Sequence, residues 1–248
     1  MKNEPFFSII TVSFNSAATI EKTLESLLSQ TFSNFEYILI DGSSNDGTVS
    51  IIKKYEEKFK QKQISFKWIS EKDSGIYDAM NKGIRMSLGK IIGIINSDDY
   101  YETNALEIVH QNAMKNPNYD VYHGLLKYYN SGNLISIKGE SSDVLYNNMI
   151  QHPSTFILRS SYSKFGLFDT RYKYVADYDL LLRIKLEGGK FLFINEILAN
   201  FFDGGLGDSI DSIVEANRLK KKYKLISRKK MYYNIFKTYF SRRIKKRN

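Results

Sequence analysis

The chain has 248 residues, 42% of them apolar and 25% charged, which suits one sizeable α/β domain with a tail and leaves no case for wholesale disorder. Cysteine is absent, which excludes a disulfide scaffold, a thiol nucleophile and thiolate-bound zinc or iron–sulfur centres. The formal charge of +9 is uneven: 14 Lys or Arg and no acid lie between Arg218 and Asn248, leaving residues 1–217 with 22 basic against 27 acidic side chains, whereas a nucleic-acid-binding domain puts its basic stripe on the folded body.

In chain order, Phe6–Phe14 is a nearly continuous apolar, β-rich run, followed by Ile20, Leu24, Leu27 and Leu28 at helical spacing. Phe35–Ile40 repeats the strand and ends in Asp41; after the turn Gly42–Gly47, Val49, Ile52, Tyr55 and Phe59 fall on one helical face. Ile64–Ser70 alternates like a third strand, Ile76–Leu88 reads as a helix, and Ile91–Ile95 is a short buried strand running into Asn96-Ser97-Asp98-Asp99. Strands alternating with helices predict a mainly parallel sheet. Further on, Val121–Tyr129 and Leu134–Lys138 around Asn130-Ser131-Gly132-Asn133 predict a β-hairpin. His152–Arg159 reads as a strand, Tyr178–Glu187 as an amphipathic helix after Asp177, and Lys190–Phe202 as a strand before the glycine-rich Asp203–Ser209. The expected organisation is a domain over 1–212, with halves 1–100 and 101–212, and a basic helical tail over 213–248. Met1 and Lys2 lead directly into the first strand without a secretory signal, and no run reaches the roughly 18 apolar residues needed to span a bilayer, so a cytoplasmic location is expected.

Parallel α/β sheets bind ligands at the carboxyl ends of their strands, and Asp41, Asp73 and Asp98/Asp99 all fall at or just past such ends. Acids gathered on one edge repel one another unless a cation or hydrogen-bond donors compensate. Each Asp taken alone also reads as a turn or helix cap.

Together the motifs resemble the family 2 glycosyltransferases of GT-A fold, in particular bacterial members that build capsular, exopolysaccharide and O-antigen repeat units. The resemblance covers about residues 6–209 and rests on Ser8–Asn15, Asp41–Thr48, Glu71–Gly83, Asn96–Asp99 and Ala176–Asp179 in that order. It implies an α/β nucleotide-binding fold and an inverting transfer of sugar from a nucleoside-diphosphate donor, more often UDP-sugar than another. Asn96-Ser97-Asp98-Asp99 is similar to the family's D-x-D element, with Asn96 at the usual first acid. By that likeness Asp99 binds Mn²⁺ or Mg²⁺ directly, and Asp98 faces the ribose and donor sugar or shares the metal, which neutralises the departing diphosphate. Val12, Ser13 and Asp41 correspond to base and ribose contacts, with Gly42 where many relatives carry a second acid. Asp73, Asn81 and Lys82 correspond to further nucleotide contacts, Lys82 being equally readable as a solvated charge.

Ala176-Asp177 is similar to the family's acid-plus-Asp motif, which makes Asp177 the expected catalytic base; Asp179 is the rival, and a helix N-cap the structural alternative. His152 reads as an ordinary hydrogen-bonded residue, and the glycine-rich segment either closes over the donor or is a surface loop. A sugar nucleotidyltransferase shares this layout, but Asn15-Ser16-Ala17-Ala18 stands where its glycine-rich phosphate loop belongs. A non-enzymatic membrane- or nucleic-acid-binding module is the third reading. In the tail, Tyr232, Phe236, Tyr239 and Phe240 share one helical side, among Arg228, Lys229, Lys230, Lys237 and Arg242. Such a helix either lies on an anionic membrane, giving a peripheral protein that acts on a saccharide or lipid-linked saccharide, or packs on the acidic body or another subunit.

Overall fold

A computed structural model describes residues 4–202 and 209–245. The glycine-rich stretch, save Ser209, and the last three residues of the tail lie outside the described residues.

The first hundred residues follow the expected alternation: β1 (Phe7–Ser13), α1 (Ile20–Leu28), β2 (Phe35–Asp41), α2 (Thr48–Gln61), β3 (Ser65–Ser70), α3 (Ile76–Met86) and β4 (Ile91–Ile94). Every residue of β1, β2 and β4 is buried, as strands covered on both faces must be, and this is why they read as apolar runs rather than alternations. On one side of the sheet Phe7, Ile9, Tyr37 and Leu39 pack with Leu24 of α1 and Phe59 of α2. On the other, Ile10, Val12, Ile38 and Ile40 pack with Met80 and Ile84 of α3.

The second half adds β5 (Tyr100–Tyr101), α4 (Ala105–Lys115), β6 (Val121–Asn130), β7 (Asn133–Lys138), β8 (Thr155–Leu158), α5 (Arg159–Phe165), α6 (Ala176–Leu186), β9 (Phe191–Phe202), α7 (Ile210–Lys222) and α8 (Arg228–Lys245). The sheet runs β3-β2-β1-β4-β8-β6-β9-β5, with β7 paired to β6. It is parallel from β3 to β4 and between β6 and β9, and antiparallel where β8 and β5 enter. The hairpin forms as expected, its two-residue turn Ser131-Gly132 having both φ values positive, 48° and 81°; that requirement selects a glycine.

Three expectations are corrected. His152–Ser154 is a 3-10 turn rather than strand: proline has no N–H to give to a ladder, so Pro153 delays β8 to Thr155, and Arg159 already begins α5. Helix α6 starts at Ala176 with Val175 as its N-cap, so Asp177 lies inside the first turn and is not the cap. A tail beginning at 213 would cut through α7, which belongs to the body. Leu219 is buried in the core beside α3 and α6, and the Glu215 carboxylate accepts from the Lys173, Tyr174 and Val175 N–H groups at 3.0, 2.7 and 3.1 Å. Charge composition marks where basic residues begin, and it is blind to the face a basic helix buries.

Only α8 is peripheral. It rests on α7 through buried Met231 and a 2.8 Å bond from Asn234 to Asn217, and it exposes Tyr232, Tyr233, Phe236, Tyr239 and Phe240. Deleting residues 218–248 should therefore lower the stability of the body by about 3 kcal/mol or more, since Leu219, Lys222 and Tyr223 go with it. Deletion from Ser227 should cost about 1 kcal/mol. Thermal melts of the two truncations check this, and equal melting temperatures would contradict it.

Candidate active site

The parallel strands deliver their carboxyl ends to one edge, where the loops interlock. The loop after β1 is tied to the loop after β2: Asn15 N–H donates to Ser44 Oγ (2.8 Å), Ser16 N–H to Thr48 Oγ1 (2.8 Å), Ala17 N–H to Asp46 Oδ2 (2.9 Å), and Asn45 N–H to Asn15 Oδ1 (3.0 Å). Ser16 Oγ also lies 2.7 Å from Ser97 Oγ, joining the loop after β4. Together these loops frame a cleft of about 520 Å³, whose walls include Val12, Ser13, Asp73, Ile76, Asn96 and Asp98.

Asp41 is fully buried and accepts four hydrogen bonds: from Ser13 Oγ (2.9 Å), Ser44 Oγ (2.5 Å), Ser44 N–H (2.9 Å) and Ser70 Oγ (2.7 Å). A carboxylate has about four acceptor sites, so no oxygen is left for the direct ribose or base contact expected of it; Asp41 instead fixes Ser13, which lines the cleft. Asp73 projects beside Gly42 and accepts from Gly75 N–H at 2.9 Å. A Cβ at position 42 would sit 2.8 Å from Asp73 Oδ2, so the space that a second acid would enter is taken by Asp73.

Two further expected contacts are turned elsewhere. The Asn81 amide is buried, its Nδ2 donating to Phe168 O (2.9 Å) and its Oδ1 accepting from Phe168 N–H (3.0 Å), which holds the loop before α6. Lys82 is engaged by Glu71 at 2.8 Å, Asp78 at 3.9 Å and the Lys72 carbonyl at 3.1 Å.

The acidic pair after β4 is asymmetric: Asp98 faces the cleft and Asp99 is buried behind it. Asp98 is exposed on the cleft, with protein around it raising its pKa above the ordinary carboxylate value. Asp99 is 1% exposed; its Oδ1 accepts from Phe202 N–H at 3.0 Å, and its buried Oδ2 has no hydrogen-bond partner of normal geometry among the described residues, the Asn96 side chain lying beside the carboxylate. Burial first, then the adjacent Asp98 charge, raises its pKa well above the ordinary value. Asn96 Oδ1 is likewise buried and unpartnered. Hard oxygen donors short of compensating charge fit a divalent cation, with Asp98 rather than Asp99 open to the cleft.

On the acceptor side, Asp177 Oδ1 accepts from Tyr178 N–H (2.8 Å) and from the Tyr77 hydroxyl (3.0 Å). Beside it, burial pushes the His152 imidazole below its ordinary value, against the pull of the Asp177 charge. The rival Asp179 is buried and held by Arg183 Nε (2.8 Å), Tyr223 hydroxyl (2.8 Å) and Lys222 Nζ (3.2 Å). A carboxylate so neutralised makes a poor base and a good tie between α6 and α7. Asp46, Tyr77 and Glu215 went unassigned in the sequence reading because each acts through a partner at least 29 residues away.

The signature of glycosyl transferase family 2 matches residues 8–170. A PGL/p-HBAD biosynthesis glycosyltransferase of Mycobacterium bovis is 28% identical over 180 residues, covering 72% of this chain and 69% of that protein. S. aureus TarS 1–349 in complex with UDP-GlcNAc superposes with a TM-score of 0.69 at 18% identity, covering 86% of this chain and 65% of that one; the match spans 41% of the longer TarS chain. A mannosyltransferase of Pyrobaculum calidifontis, in complex with GDP-Man and Mn²⁺, gives a TM-score of 0.65 at 17% identity over 88% of this chain and 62% of that one.

Because the fold raises the Asp99 pKa, its ionisation costs stability: the cost is absent below the ordinary carboxylate range and grows as pH rises through the elevated value. Asp99→Asn, which keeps an acceptor for Phe202 N–H, should stabilise the ligand-free protein by about 1 kcal/mol at pH 8. The gain should shrink toward pH 4. Denaturant melts at the two pH values check this, and destabilisation at pH 8 would contradict it.

Proposed function

The chain belongs to glycosyl transferase family 2 and has the GT-A fold, and on that premise we propose that it transfers a sugar, with inversion, from a nucleoside-diphosphate donor to a saccharide or lipid-linked saccharide in cell-surface polysaccharide synthesis. The observation that carries this reading is Asp98 lining the cleft, backed by the buried Asp99 Oδ2, which has no hydrogen-bond partner among the described residues. UDP is the nucleotide we favour, since the TarS neighbour is described with UDP-GlcNAc; the Pyrobaculum calidifontis neighbour is described with GDP-Man.

In this reading Val12, Ser13 and Asp73 flank the base and ribose, with Asp41 acting behind them through Ser13. Asp98 and Asp99 with Asn96 Oδ1 would hold Mn²⁺ or Mg²⁺, Asp98 as the ligand reached first. When bound, such a cation neutralises charge developing on the diphosphate leaving group. Direct displacement requires the acceptor hydroxyl to lose its proton as it attacks from the face opposite that leaving group. Asp177 takes the proton. Asn81 and Lys82 support the loops around the donor without touching it.

Asp177→Asn should keep UDP and Mn²⁺ binding and lose at least about a hundredfold in kcat. Asp98→Ala should instead lose the Mn²⁺ dependence of UDP binding. Calorimetric titration beside a UDP-release assay on the full chain tests both, with NMR of the product reporting the anomeric configuration. Retention, or transfer by Asp177→Asn at the wild-type rate, would sink the mechanism.

Among the described residues no helix is long and apolar enough to cross a membrane. We assign the exposed aromatic side chains of α8, with nine Lys or Arg and no acid between Ser227 and Asn248, to peripheral contact with an anionic membrane on its cytoplasmic side. Each basic residue near such a surface contributes about 1 kcal/mol. Deletion from Ser227 should abolish co-sedimentation with anionic liposomes while leaving UDP binding intact, and high salt should weaken the full chain's attachment without abolishing it. Equal sedimentation of the two forms would refute the role.

A further inference from the structure

The hydrogen bond from Tyr77 to Asp177 joins residues 100 positions apart and links the two halves of the site. Tyr77 is the second residue of α3, and the residues just before it, Gly75 and Ile76, line the donor cleft. Its ring is buried and packs on Phe168 at 5.5 Å between centroids. The main chain of Phe168 is held in turn by Asn81, one turn further along the same helix. One helix thus grips both the loop before α6 and the carboxylate in its first turn.

The two oxygens of Asp177 are unlike. Oδ1 accepts two hydrogen bonds, from Tyr77 and from Tyr178 N–H; Oδ2 has no hydrogen bond among the described residues and is not sealed from solvent. A carboxylate anchored through one oxygen presents the other in a fixed direction. We propose that Tyr77 is a positioning residue that aims Oδ2 of Asp177 at the acceptor hydroxyl, doing so from the helix whose first residues wall the donor cleft. This rests on the reading of Asp177 as the base.

Without the Tyr77 hydroxyl, Oδ1 keeps only the bond from Tyr178 N–H, so the carboxylate loses the long-range tie that fixes its direction. The loops that wall the donor cleft keep their own ties, and on α6 itself Asp179 stays bound to Arg183, Lys222 and Tyr223. Loss of the hydroxyl therefore acts on transfer and not on donor binding.

The test is kcat and acceptor KM for sugar transfer by the full chain, with UDP binding measured alongside. Tyr77→Phe keeps the ring against Phe168 and should lower kcat roughly tenfold, with acceptor KM and UDP affinity unchanged. Site-specific 3-fluorotyrosine at position 77, which keeps the donor, should retain kcat near the wild-type value, and it covers the case in which the phenylalanine variant folds poorly. An unchanged kcat in Tyr77→Phe, or equal losses of kcat and UDP affinity, would overturn the proposal. If Asp177→Asn in the same assay keeps wild-type transfer, the reading of the base fails instead; if it is inactive while Tyr77→Phe transfers at the wild-type rate, Asp177 stands and the Tyr77 role falls.

Discussion

A carboxylate buried beside another carboxylate, with one oxygen left unpartnered, is the constraint around which this molecule is arranged. Asp99 Oδ1 is held by the Phe202 N–H, and among the described residues Oδ2 has no hydrogen-bond partner. A fold does not keep an unneutralised buried acid for its own stability. The surroundings make the position rigid all the same: Thr23 Oγ1 donates to the Asp99 carbonyl at 2.7 Å, and Ser16 meets Ser97 at the next turn. The interlocked loops of β1, β2 and β4 thus hold an acidic pair in place, and among the described residues no Lys or Arg forms an ion pair with it.

A second anchoring system serves the opposite wall. Asp177 sits in the first turn of α6, and that turn is fixed from three directions: by Glu215 on the peptide groups ahead of it, by Asp179 bonding to α7 behind it, and by Tyr77 from α3. The ties to α7 explain why a helix of basic composition belongs to the catalytic body. They also connect the two walls, since β9 ends at Phe202, whose N–H touches Asp99, and α7 begins at Ile210.

What the sequence revealed and what it hid divide along the range of the interactions. Strands β1 to β4 and helices α1 to α3 were legible because apolar spacing is local and both faces of the strands are covered. The antiparallel entry of β8 between β4 and β6 is a tertiary pairing with no local signal. The acids were found at the right strand ends, since a strand followed by a polar turn is visible in one segment. Their division of labour was not: whether Asp98 or Asp99 faces the cleft depends on Phe202, a hundred residues away, and the saturation of Asp41 depends on Ser13, Ser44 and Ser70 from three separate elements. Asn81 resembled a ligand contact by motif and proved to be a clamp on Phe168 for the same reason.

The central claim is that the acidic pair is completed by a cation together with a diphosphate. Calorimetric titration of the full chain with UDP and with uridine, each with Mn²⁺ and with EDTA, tests it most directly. The account predicts that Mn²⁺ strengthens UDP binding by about tenfold or more and leaves uridine binding nearly unchanged, because only the diphosphate shares the cation with Asp98 and Asp99. UDP affinity that is the same in EDTA as in Mn²⁺ would contradict it.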